Sequence, residues 1–141
     1  ASVLRNAPVT TQDVDLLVRG TALVRARLGR VALALGGIGP MDISELASVQ
    51  KIVGTAIPID IIYDKISGGL KFESVRSRST KMKFGEHSIA VASLADVIRS
   101  KTAANRPKDI AVLPVLRDTL KAVEALDAGS KQGRYDKKID R

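Results

Sequence analysis

The chain has no cysteine and no tryptophan, a single histidine, and aromatic residues at only 3% of its length. Without cysteine there can be no disulfide and no thiolate metal site. The aromatics are Tyr63, Phe72, Phe84 and Tyr135. That is too few for a surface on which successive single-stranded bases stack, so a dedicated RNA-reading sheet is not expected. No apolar run approaches the roughly 18 residues needed to span a bilayer. No secretory signal is visible either, and the expected compartment is the cytoplasm. The lone histidine, His87, falls in an expected turn after Gly85-Glu86, where a solvated role is the natural expectation.

What is present points to a globular protein. The chain has 141 residues, 45% of them apolar, enough for one hydrophobic core. A folded domain is expected over residues 1–127, followed by a polar tail over 128–141 that we read as mobile. The formal net charge is +8, from 23 basic and 15 acidic residues. Such a balance favours polyanionic partners such as nucleotides or nucleic acid, and it equally suits a plain basic surface.

The most informative acids are Asp13 and Asp15, in Thr10-Thr11-Gln12-Asp13-Val14-Asp15-Leu16-Leu17-Val18. The segment reads as a strand over 12–18. Side chains at i and i+2 of a strand share a face, about 7 Å apart, and two carboxylates so placed repel unless a cation lies between them. Hard oxygen ligands suit Mg²⁺ or Mn²⁺, which pair naturally with substrate phosphates. A third acid, Asp60, lies inside the apolar run Ile57-Pro58-Ile59-Asp60-Ile61-Ile62-Tyr63. A charge in a buried strand is costly unless it is paired or bound to a metal. If that strand lies beside the first, the three acids could hold two ions about 4 Å apart.

Other elements follow from local signals. Residues 1–5 read as the end of a helix closed at Asn6 and Pro8. A helix is expected from Thr21 to Leu35, with Leu23, Val24, Leu28, Val31 and Leu35 at helical spacing. Gly36-Gly37-Ile38-Gly39-Pro40 reads as a loop, and Asp42 after it as an N-cap or turn residue. Strands are expected at 49–53 and 57–63. A turn at Ser67-Gly68-Gly69, a short helix carrying Phe72 and Val75, and a hairpin over 80–84 and 88–92 follow. Ser93 and Asp96 fit a capping box that opens a helix from Leu94 to about Ala104, with Leu94, Val97 and Ile98 inward. Pro107 suits the first turn of another helix, which turns Ile110, Leu113, Leu116 and Leu120 inward and is kinked or split at Pro114.

Thr11-Gln12-Asp13-Val14-Asp15, together with the later segment from Ser93 to Asp109 that contains Lys101 and Arg106-Pro107-Lys108-Asp109, resembles the polymerase-beta-like nucleotidyltransferase superfamily. The likeness spans residues 1–120 or so and is nearest to small bacterial nucleotidyltransferase-like proteins, some of which are toxins or antitoxins. The resemblance implies an α+β fold, a mixed β-sheet with helices packed on it. It implies an enzyme that moves a nucleoside monophosphate from a nucleoside triphosphate to an RNA, protein or small-molecule acceptor. Asp13, Asp15 and Asp60 would be the catalytic and metal-binding residues, with Mg²⁺ or Mn²⁺ as cofactor and Lys101 or Arg106 at the triphosphate.

The family's glycine turn ahead of the acidic pair is not seen in its usual form. Ala1-Ser2 is either a degenerate version, which would make Ser2 a nucleotide-binding residue, or the turn lies further upstream in a longer protein. In the alternative reading, the fold survives as a catalytically inactive module that binds nucleic acid or a protein partner.

Overall fold

The computed structural model describes residues 1–42 and 49–139 and has a mixed α+β architecture. Its centre is a four-stranded sheet of β1 (Val14–Val18), β2 (Ile38–Asp42), β3 (Val49–Val53) and β4 (Ile59–Tyr63). The spatial order is β1-β4-β3-β2, with β1 parallel to β4 and the other two pairings antiparallel. A parallel neighbour requires a crossover, and α1 (Ala22–Ala34) supplies part of it.

Alternation along the strands gives the sheet two different faces. Ile59, Ile61 and Tyr63 of β4 and Ile52 of β3 point to one side, where they pack with Leu28 and Ala32 of α1. Asp60 and Lys51 lie at the intervening positions and so point the other way. Thr21 starts α1 by accepting the Val24 N–H at its hydroxyl, 3.3 Å away. The face of α1 that enters the core is Val24, Leu28 and Ala32. Leu23, Val31 and Leu35, which share the apolar periodicity, stay exposed. A helix lying on one sheet buries a single stripe at i, i+4 and i+8, and an apolar pattern wider than that leaves its flanks outside.

Past the sheet, β5 (Lys65–Ile66) and β6 (Leu70–Lys71) flank the expected Ser67-Gly68-Gly69 turn and lead into α2 (Phe72–Ser77). The hairpin of β7 (Thr80–Phe84) and β8 (His87–Val91) turns at Gly85-Glu86, with Phe84 opposite His87. Gly85 has φ +57°, as a two-residue hairpin turn demands. Next come α3 (Leu94–Ala104) and α4 (Pro107–Ile139). Ala7, Leu94 and Leu116 form a second buried cluster, with Val9, Val97, Ile98, Val112 and Leu120 packed against it. The N-terminal segment thus ties the α3–α4 pair to the chain that runs on to Asp13. Among the described residues, no helix is long and apolar enough to cross a membrane.

Four expectations are corrected. Of the glycine-rich stretch expected as a loop, Gly36 lies in the turn after α1, whereas Ile38, Gly39 and Pro40 belong to the edge strand β2, which ends at Asp42 opposite Gln50. Its glycines serve close approach: a Cβ at Gly39 would lie 2.5 Å from the Lys51 carbonyl oxygen. Pro40 is tolerated because the strand is at the edge. In α4, Leu113 and Leu116 turn inward as expected, but Ile110 is exposed and its neighbour Asp109 is buried instead. Pro114 does not split α4, which runs as one element through it. The helix also continues to Ile139, so residues 128–139 of the expected tail are helical; Asp140 and Arg141 lie outside the described residues. Lys and Gln in that stretch are good helix formers, which offsets its glycines.

Candidate metal centre

The parallel register of β1 and β4 sets Asp15 opposite Asp60, and Asp13 immediately precedes β1. One carboxylate oxygen from each of Asp13, Asp15 and Asp60 lies within 4.8 Å of the others. The group sits where β1 forms the outer strand of the sheet, on the face turned away from α1. The Thr11 hydroxyl donates to Asp13 Oδ1 at 2.9 Å and steadies the approach to the strand.

The electrostatics are those of crowded anions. The Asp15 carboxyl is held above its ordinary value by partial burial first, then by the negative charges of Asp13 and Asp60. The Lys101 charge pulls the other way but does not overcome them. Asp60 is half-buried, and its Oδ1 has no hydrogen-bond donor. Lys51 Nζ is 3.0 Å from that oxygen, close enough for an ion pair but without the geometry of a directed hydrogen bond. This pairing follows from the sheet, since Lys51 and Asp60 are register partners across β3 and β4.

The residues present fit a hard divalent cation. The donors are all oxygen, the carboxyl charges are mutually repulsive, and a buried lone pair of Asp60 lacks a directional partner. Ligand oxygens on one octahedral Mg²⁺ lie about 3 to 4 Å apart, so a small closure of the trio would bring them into range.

Lys101 and Arg106 arrive from the α3–α4 corner. Asn105 ends α3 in the left-handed conformation, φ +51°, and Pro107 opens α4 at once. Asp109, fully buried in the first turn of α4, accepts from Lys101 Nζ at 2.9 Å and from Arg106 Nε at 2.5 Å. Burial alone would raise the Asp109 pKa; the hydrogen bonds and charges of Arg106 and Lys101 outweigh it and hold the carboxyl below its ordinary value. Both cations lie near enough to the acidic trio for their charges to be felt, Lys101 at Asp15 and Arg106 at Asp15 and Asp13. The arrangement therefore sets a basic corner beside an acidic one.

Asp13, Asp15, Asp60, Lys101 and Arg106 are thus brought to one region, as the sequence led us to expect. Ser2 sits at the start of the 3-10 turn Val3–Arg5, and its side chain makes no capping bond. Its neighbour Ala1 lies near Asp15 and Lys101. Two residues escaped the sequence reading. Lys51 is one position in an ordinary alternating strand, and only the register reveals its partner. Asp109, which in the sequence only closes the segment that carries the resemblance, is a buried anchor for two cations; its position at the start of a helix beside Lys and Arg is the available signal. Asp96 differs similarly from expectation. Ser93 does accept the Asp96 N–H at 3.1 Å, but the Asp96 carboxylate is buried and binds the Arg78 guanidinium.

Comparison of the chain with protein-family models, with curated proteins and with solved structures finds no match. The functional reading consequently stands on the residues themselves.

Proposed function

We propose that this protein is a metal-dependent nucleotidyltransferase with a polymerase-beta-like fold. It would move a nucleoside monophosphate from a nucleoside triphosphate to a hydroxyl on RNA, a protein or a small molecule, in keeping with a role in a toxin–antitoxin pair. The observation that carries the proposal is the convergence of Asp13, Asp15 and Asp60 within 4.8 Å beside Lys101 and Arg106.

Asp13, Asp15 and Asp60 would hold Mg²⁺ or Mn²⁺, which when bound supplies positive charge to the phosphate oxygens. Lys101 and Arg106, pre-oriented by Asp109, would face the triphosphate and stabilise charge that develops as the α–β phosphate bond breaks. The acceptor oxygen would attack the α-phosphorus in line, pyrophosphate would leave, and the acceptor proton would pass to Asp60 or to solvent. The Asp109 anchor matters here because cations already fixed in place need no reorganisation as charge moves.

The rival is a non-catalytic module for nucleic acid or a protein partner. One observation favours it: Asp60, Lys101 and Arg106 all have ionic partners within the chain. Calorimetry with a nucleoside triphosphate analogue that cannot be cleaved between its α and β phosphates separates the two. The enzyme reading expects binding that requires Mg²⁺ or Mn²⁺ and is weakened by Asp13→Asn. Absence of binding to each of the common nucleotides with either metal would favour the module.

A further inference from the structure

Lys51 has no role in the reaction as described, yet it is the charge most tightly set against a metal-binding acid. It faces Asp60 across the antiparallel pair of β3 and β4. Register partners in such a pair hold their Cβ atoms about 5 Å apart. The sheet itself therefore keeps the Lys51 stem beside Asp60, and only the flexible end of the side chain can move. Its ammonium nitrogen is 3.0 Å from Asp60 Oδ1, the buried oxygen that has no other donor.

Local charge sets how many divalent ions the region can accept. Counted over side chains alone, Asp13, Asp15, Asp60 and Asp109 carry four negative charges, and Lys51, Lys101 and Arg106 carry three positive ones. One divalent ion turns the single net negative charge into a single positive one. A second ion would raise the excess to three, with an ammonium group against the same carboxylate. A nucleoside triphosphate brings the negative charge that could accommodate it, but the nucleotide-free protein has none in reserve.

Resting on the metal reading above, we infer that Lys51 is a positioning residue that reserves Asp60. Its ammonium occupies the place of a second divalent ion in the nucleotide-free protein, which therefore loads a single ion on Asp13 and Asp15.

Electron paramagnetic resonance with Mn²⁺ as the probe, on the whole chain without nucleotide, tests this by counting ions and by detecting spin coupling between neighbours about 4 Å apart. The parent should saturate at about one ion per chain with the spectrum of an isolated Mn²⁺. Lys51→Met should take up about one more and show the broadened, coupled spectrum of a pair. Adding Asp60→Asn to Lys51→Met should remove the extra ion. Lys51→Gln, polar and uncharged, should behave like Lys51→Met, and circular dichroism melting identifies which variant retains the parent fold. A coupled pair in the parent, or folded Lys51 variants that bind ions as the parent does, would overturn the inference while leaving the metal centre in place. Mn²⁺ that does not bind the parent, or binds equally after Asp13→Asn with Asp15→Asn, would overturn the metal centre and this inference with it.

Discussion

Asp15 and Asp60 are direct partners in the parallel register of β1 and β4, so their carboxylates share one face of the sheet with a single strand spacing between their backbones. Asp13 adds a third charge beside them. Partial burial first, and then the charges of Asp13 and Asp60, disfavour the ionised form of Asp15 until a cation enters and hold its pKa above the ordinary value.

This has a consequence for stability against pH. A carboxyl whose folded-state pKa lies above its unfolded value of 3.8 costs nothing in strong acid, costs progressively more as pH rises through the two values, and is constant above them. In chelator, Asp15→Asn should therefore be more stable than the parent at neutral pH, by less than about 1 kcal/mol because solvent screens the site. The gain should fade as pH drops below the folded-state pKa. Denaturant titrations over a pH series measure it, and a constant difference down to strong acid would count against the charge cluster.

Metal should reverse the same penalty. Mn²⁺ or Mg²⁺ should raise the melting temperature of the parent, with about 2.7 kcal/mol gained at a hundredfold excess over the dissociation constant. Asp13→Asn with Asp15→Asn should abolish the rise. Equal shifts in parent and variant would show that the ions bind elsewhere.

Asp109 has the opposite sign. Its depressed pKa means that its contribution is present above the unfolded value of 3.8 and is lost as pH falls through the folded value. Asp109→Asn should lose about 3 kcal/mol at neutral pH, because the charge that anchors Lys101 and Arg106 is gone from a fully buried position. It should also flatten the acid limb of the stability profile. Urea unfolding at neutral and acid pH checks both, and a neutral-pH loss near zero would show that the cations need no anchor.

Much of this was legible in the sequence, for identifiable reasons. Strand alternation in Asp13-Val14-Asp15 and the isolated charge of Asp60 in an apolar run marked the acids, and a parallel pairing of their strands then brought them together. The Ser93 cap and Pro107 marked two helix starts because both act through local backbone chemistry. What escaped depended on neighbours distant in sequence. Lys51 acquires its meaning from the β3–β4 register, and Gly39, a turn signal in the sequence, lies in a strand that passes closely against β3. Asp96 and Asp109 are buried because Arg78, Lys101 and Arg106 reach them, which no periodicity encodes.

Lys101 and Arg106 should matter more for turnover than for stability. Lys101→Met and Arg106→Ala should each lower nucleotidyl transfer about a hundredfold, the effect typical of removing one donor that stabilises transition-state charge. Their folded fraction should change less than that of Asp109→Asn. Steady-state kinetics beside thermal melts separates the two, and unchanged turnover in a folded variant would remove that residue from the site.

The central claim is tested most directly by transfer of an α-labelled nucleotide. The protein expressed from its native reading frame would be incubated with each of the four nucleoside triphosphates, Mg²⁺ or Mn²⁺, and RNA and protein acceptors. The account predicts labelling that requires metal, releases pyrophosphate, and falls far more in Asp13→Asn and Asp60→Asn than nucleotide binding does. Labelling that persists unchanged in Asp13→Asn, or no metal-dependent labelling together with no nucleotide binding, would contradict it.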